Sequence, residues 1–438
     1  MPELQHRHRY FKAKQVKLIF YIAHLVIIFS LAFFLAKRWG ATRHKLFWSS
    51  LIFHLCGGAA VGLLYLHYYL ANDTWQFFND AVQLSSIAKK DFTNYIKLLA
   101  DFSDDQIFPG VVTGSFRSLI FVKLLSLFCL ISGNSYWIAT AYFSFIAFVS
   151  SWFLYHKIVR HLPGSALAAT VAFLFFPSVV FWSSGIEKET LTLASLYFLA
   201  GVFLEWMAEQ KIKKWFWLPA VAACFILWAL KYYWAGVFFI SAFSAGGLVY
   251  LTNRFARLAR FSVPIFFILF VMTGVGASLL HPNFYLYRFL DVVVSNHDVF
   301  VRISDDNNLI HFYQLEPTVV SMLINSPWAL VSGIFRPMIG EGNGWPGWLA
   351  SIENSVILLL FFSQLISIYR NRDFKVSALF LAAISYCVVL CVFLALSTPN
   401  FGTLSRYRVG FLPFFVFMLV YKNKAVMQGA KKIGIPIS

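Results

Sequence analysis

The chain has 438 residues, of which 59% are hydrophobic and only 13% charged; soluble chains carry about 25% charged residues, so an ordinary soluble domain is excluded. Its 36 Lys and Arg against 19 Asp and Glu give a net charge of +17, a balance that can suit nucleic acid. The basic residues, however, sit in short clusters between long apolar blocks, which argues against a nucleic-acid partner and for a lipid bilayer as the solvent.

A helix needs about 20 apolar residues to cross the hydrocarbon core, and blocks of this kind lie near 18–36, 47–70, 136–156, 166–182, 189–207, 215–230, 233–252, 261–280, 355–369, 376–396 and 408–421. The first block has no small-residue cleavage site before the next basic cluster, so it reads as an anchor and not as a cleavable signal peptide. A further block, Phe116 to Ser132, is interrupted by Arg117 and Lys123 and reads as an interfacial helix or as one more span. The expected fold is all-α: a single integral membrane domain over residues 1–438, a polytopic bundle of about 11 to 13 spans. Two long extracytoplasmic loops, 71–116 and 281–354, carry interfacial helices. One of these is expected in PTVVSMLINSPWALVSGIF, which is apolar but interrupted by Asn325 and Pro327.

Charge sets the orientation. The clusters KRWGATRHK, KIVRH, KIKK, RFARLAR and RNRDFK follow the positive-inside pattern, whereas six acids lie between Asp73 and Asp105 and seven between Asp291 and Glu353. Thirteen of the 19 acids therefore fall in the two long loops, which places those loops outside. The five cysteines all lie in apolar stretches without a CxxC, so neither disulfide nor zinc is implied.

In chain order, the first chemical constellation is NDTWQFFNDA, Asn72 to Ala81, at the end of a span. Asp73 and Asp80 are seven apart and share one helix face. Two readings stand: a carboxylate positioned as general base, or a helix cap followed by solvated surface. The second constellation is FFPSVVFWSSGIEKE, where Ser183, Ser184 and Gly185 precede Glu187, Lys188 and Glu189. A charged turn at a span end can be simple interface anchoring. It can also be a phosphate site, since a helix start offers free N–H groups and Lys188 adds a cation.

Third, RPMIGEGNGWPGW places Arg336 and Glu341 beside Trp345 and Trp348, residues suited to an interfacial belt or to stacking on sugar rings. Fourth, NFGTLSRYR puts Arg406 and Arg408 at the mouth of the last span, against the positive-inside trend. Arginine holds phosphate bidentately, so this pair suits an anionic head group, with plain lipid contact as the alternative. His281, His297 and His311 with Asp291, Asp298, Asp305 and Asp306 match no ligand spacing, so neither a metal nor another cofactor is assigned and a divalent ion is left without support.

With these residues in view, the layout resembles the GT-C class of polytopic membrane glycosyltransferases, similar to bacterial polyprenyl-phosphate-mannose-dependent mannosyltransferases of surface-polysaccharide pathways. The likeness rests on the acid opening the first external loop, Asp73 in DTWQFFNDA, and on the Pro-containing span and Ser-rich turn of FFPSVVFWSSGIEKE, and it covers mainly residues 47–207. It implies inverting transfer of a sugar from a polyprenyl-phosphate-linked donor to a glycan or lipid acceptor, at the extracytoplasmic face of a bacterial inner membrane. Asp73 and Asp80 would be catalytic, with Asp73 as base. Glu187, Lys188, Glu189, Arg336, Glu341, Arg406 and Arg408 would bind substrate and lipid phosphate. The alternatives are a polysaccharide polymerase or ligase using polyprenyl-diphosphate-linked glycans, or a lipid-oligosaccharide flippase. A flippase would show charged or broken helices at mid-membrane and internal repeats, neither of which is evident in the sequence.

Overall fold

The computed structural model describes residues 2–69, 73–101, 111–209, 214–280, 282–342, 344–370 and 376–432, with side chains from Lys17 onward apart from Leu280 and Asn283. Asn72, Asp104, Asp105 and His281, with most of the KIKK and RNRDFK clusters, lie outside the described residues. Among the described residues every element is helical, and strand pairing is confined to one antiparallel bridge between Leu309 and Asn400.

Among the described residues eight helices are long and apolar enough to cross a membrane: Lys17–Arg38, Lys45–His67, Tyr136–His161, Lys188–Met207, Lys214–Arg254, Ala256–Leu279, Gly344–Tyr369 and Ala378–Ser397. The pair Phe401–Gly410 and Leu412–Val420, bent by 69°, makes a ninth if it is one span. The chain is a multi-pass helical membrane protein. Eight is three fewer than the eleven blocks read from hydropathy: 166–182 and 408–421 are broken into shorter helices, and 215–230 and 233–252 run together in Lys214–Arg254. Residues 166–182 divide into Ala166–Ala169, a π-helical turn Thr170–Phe175 and Pro177–Trp182, as expected where a proline cannot donate to the preceding turn. Trp217–Arg254 is assigned as one helix of 38 residues, but Lys231 inside it has φ −143° and ψ 66°. A straight helix of that size would run about 57 Å, nearly twice the roughly 30 Å hydrocarbon core, and the break at Lys231 divides it into two arms.

The chain forms two compact units, Met1–Val149 with Phe181–Leu191, and Ser150–Val180 with Thr192–Ser438. In unit 1, helix α1 (Pro2–Arg38) is followed by α2 (Lys45–His67), α3 (Asp73–Lys90), α4 (Phe92–Ala100) and α5 (Phe116–Ile131). Helix α3 buries Thr74, Phe77, Phe78, Ala81, Leu84 and Ser85, the spacing of a one-sided apolar stripe. Asp73 in its first turn and Lys89 and Lys90 in its last complement the helix dipole. Asp91 caps α4 by accepting from the Asn94 amide at 2.9 Å. Helix α5, the block interrupted by Arg117 and Lys123, packs against α3 through Phe121 and Phe77, whose ring centroids are 5.4 Å apart, and Lys123 is itself buried.

Close approach in unit 1 depends on glycines. A Cβ on Gly62 of α2 would lie 2.8 Å from the Tyr136 ring, and one on Gly185 would lie 2.7 Å from Val61. Gly58 of α2 likewise faces Ser144 and the Ser184 carbonyl. Gly58 and Gly62 are one turn apart, the small-residue spacing that lets membrane helices meet at their backbones.

Unit 2 is built from the broken helix, from Gly344–Tyr369, Ala378–Ser397 and Leu412–Val420, and from the shorter Val319–Phe335. Side-chain caps start three of its helices: Thr318 accepts from the Ser321 amide, Ser377 from Phe380 and Asn400 from Thr403. Fully buried Phe266 packs with Ala245, Leu248, Leu381 and Ala382. Val319–Phe335 is helical, with Asn325 making a two-way amide pair with the backbone of Tyr313 at 2.9 Å each way.

Candidate functional site

Unit 1 brings together the two constellations that the sequence keeps far apart. Thr74, next to Asp73 in the first turn of α3, donates its hydroxyl to the Ile186 carbonyl at 2.9 Å, and its oxygen lies 3.0 Å from the Tyr136 hydroxyl. Tyr136 in turn stacks on Trp75 at 3.8 Å with the rings 8° apart. The Ser183–Glu187 turn is locked from beneath: Ser144 donates to the Ser184 carbonyl and Thr190 to the Gly185 carbonyl, both at 2.7 Å. Glu187 and Glu189 are each 1% exposed, while Lys188 between them is half-buried.

Lys188 Nζ lies 4.8 Å from the centroid of the Phe77 ring and donates to Ser118 Oγ at 2.7 Å. Phe77 stands one helical turn from Asp73 and one from Asp80, so the cation sits over the middle of the acidic face of α3. Asp73 is half-buried at the start of that face. Asp80 differs: it is 2% exposed, and its two oxygens accept from the Val112 amide at 3.2 Å, the Thr113 amide at 3.1 Å and the Thr113 hydroxyl. Its carboxylate is occupied in holding the 112–113 backbone, which makes it a positioning residue.

Unit 2 carries the remaining residues singled out from the sequence. Arg336 donates through Nε to both Glu341 oxygens, at 3.1 and 2.9 Å, and Glu341 also accepts from the Met338 amide at 2.8 Å. Burial pushes the Glu341 carboxyl up, but the Arg336 guanidinium and the Met338 amide outweigh it and hold the group below the usual carboxylate range. Arg336 also lies over the rings of Phe401 and Trp328, at 4.9 and 5.5 Å. Arg408 is 1% exposed. It donates to Asn354 Oδ1 at 2.6 Å and to Glu353 Oε1 at 3.3 Å, while Glu353 Oε2 accepts from the Ser178 amide at 3.0 Å. This is an interior ion pair joining three segments of unit 2. Arg406 lies 5.2 Å from the Tyr407 ring centroid, and Lys231 Nζ lies 3.7 Å from the same centroid.

Sequence reading passed over Lys231, Glu353 and Asn354. Lys231 falls in the gap between two apolar runs, and Glu353 precedes the apolar block that starts at residue 355. The structure starts that helix at Gly344, which puts Glu353 well inside it. Two apolar segments thus carry charge within them, a buried Lys at the break in Trp217–Arg254 and an acid within Gly344–Tyr369. Among the described residues no group of three or more His, Cys, Asp or Glu could hold a metal ion. No protein-family model, curated protein or solved structure matches the chain.

Proposed function

We propose that the chain is a bacterial inner-membrane glycosyltransferase of the GT-C kind, moving a sugar from a polyprenyl-phosphate-linked donor to a glycan or lipid acceptor at the extracytoplasmic face in surface-polysaccharide or glycolipid synthesis. The observation that carries this reading is Lys188 lying over the acidic face of α3 that begins at Asp73. Asp73 takes the proton of the acceptor hydroxyl, the acceptor oxygen bonds to the anomeric carbon, and the bond from that carbon to the lipid phosphate breaks. A positioned base contributes about 10²- to 10⁴-fold, and Lys188 stabilises negative charge growing on the departing phosphate. Asp80 keeps the 112–113 backbone in place beside them.

The test is transfer from a polyprenyl-phosphate sugar by purified protein in lipid nanodiscs. Asp73→Asn is expected to lower turnover by about 10²-fold or more with unchanged thermal unfolding, and Lys188→Met to weaken donor use. Wild-type turnover in Asp73→Asn overturns the reading. A second reading, a polymerase or ligase using polyprenyl-diphosphate-linked glycans, draws on Lys231 and Arg406 both lying near the Tyr407 ring; release of lipid diphosphate instead of monophosphate identifies it. The break at Lys231 also suits a lipid-oligosaccharide flippase, which would move its cargo and form no new glycosidic bond.

A further inference from the structure

Unit 2 contains a partly open cavity of about 480 Å³ that plays no part in the proposed chemistry. It lies within the range of about 300 to 1,000 Å³ typical of small-molecule sites. Its walls come from several membrane helices and are mostly apolar, with Phe173, Phe238, Phe414 and Phe417 among them. Ser241 and Tyr386 line it from helix interiors, and the other polar lining groups gather at helix ends. Gln364 is near the end of Gly344–Tyr369, Ser377 caps Ala378–Ser397, and Tyr421 and Lys422 follow Leu412–Val420.

That end of the unit is basic. Exposed Lys422 lines the cavity, and Leu162, Ile158 and Leu204 of its wall adjoin His161, Lys157 and Glu205 in sequence. Glu205 pairs with Lys157, at 3.4 Å with His161 and at 3.8 Å with Arg160, so this acid faces three basic side chains. Arg370 and Lys424, both exposed, extend the same excess. An apolar interior with a cationic rim matches an amphiphile with a hydrocarbon chain and an anionic head, the arrangement by which basic pockets between membrane helices hold lipid head groups.

Gln364 is 8% exposed, and its amide nitrogen donates to the Met418 carbonyl at 3.1 Å and the Tyr421 carbonyl at 3.0 Å, which ties the cavity wall to the backbone that carries Lys422. We propose that this cavity is a binding site for an anionic glycerophospholipid of the phosphatidylglycerol type, with one acyl chain among the phenylalanines and the phosphate at Lys422.

Native mass spectrometry of the full chain released from nanodiscs containing equal phosphatidylglycerol and phosphatidylcholine tests this. The wild-type chain is expected to retain one phosphatidylglycerol at least fivefold over phosphatidylcholine. Ala383→Trp, which fills the cavity, is expected to abolish retention. Lys422→Glu, an exposed change that leaves the packing intact, is expected to remove the preference, and it decides the matter if the tryptophan variant does not fold. Equal retention of the two lipids by wild type, or undiminished phosphatidylglycerol retention in Lys422→Glu, overturns the proposal.

Discussion

The Thr74 hydroxyl donates to the Ile186 carbonyl at 2.9 Å, and this bond ties the start of α3 to the turn that presents Glu187, Lys188 and Glu189. Thr74 is fully buried, so no water replaces the donor if it is removed. Thr74→Val keeps the shape but leaves the Ile186 carbonyl without this donor, at a cost of about 1 to 3 kcal/mol. A lower midpoint of detergent-induced unfolding is expected for Thr74→Val, with Thr74→Ser close to wild type. Equal midpoints for all three proteins would show that the hydroxyl does not hold the turn.

Asp80 and Asp73 are predicted to respond differently to the same change. Asn at position 80 keeps one acceptor but turns an NH₂ group toward amide and hydroxyl donors that now meet carboxylate oxygens. The expected result is a stability loss of about 1 to 3 kcal/mol and faster hydrogen exchange at the Val112 and Thr113 amides. Asp73→Asn is expected to leave both unchanged. Slow exchange at Val112 in Asp80→Asn would remove Asp80 from its positioning role.

What could be read from the sequence follows from what run length and residue type encode. The multi-pass helical architecture was legible because long apolar blocks have few alternatives in a bilayer. Asp73 and Lys188 could be singled out by their positions at span ends, but the seating of Lys188 against Phe77, one turn from Asp73, could not, because it depends on tertiary contacts such as Thr74 with Ile186. Gly58 and Gly62 did carry a readable signal, small residues one turn apart, for the close contact of α2 with Tyr136 and the Ser184 turn. The π-helical turn before Pro177 and the break at Lys231 were opaque to hydropathy, which registers how apolar a segment is and not whether its backbone is continuous. The place of Arg408 near a span end does not reveal its partners Glu353 and Asn354, because they precede the apolar block of a helix that starts at Gly344.

The Arg408 and Glu353 pair gives a third test. Glu353 lies 3.3 Å from the guanidinium, with its side chain 13% and that of Arg408 1% exposed. Removing one member of a buried pair strands the other charge and costs about 3 to 5 kcal/mol, whereas removing both is far milder. Arg408→Met and Glu353→Gln are each expected to destabilise unit 2 strongly, and the double variant to be more stable than the sum of the singles implies. Additive losses in this cycle, measured by thermal unfolding in one detergent, would mean that the two side chains are energetically independent.

The Arg336 and Glu341 pair makes a pH prediction whose sign follows from linkage. The Glu341 carboxyl ordinarily titrates near 4.5, and its partners hold it lower in the folded chain. A group with a depressed folded value binds fewer protons folded than unfolded, so its contribution is fully present above the unfolded value and is lost as pH falls through the folded one. The stability difference between wild type and Glu341→Gln should therefore be flat from neutral pH to about pH 5 and shrink progressively below that. Because the Glu341 side chain is 33% exposed, solvent and salt screen the pair, and the difference should also narrow in molar salt. A difference that grows on acidification, or that is unaffected from pH 7 to 3, would show that Arg336 does not hold the Glu341 carboxylate in its charged form.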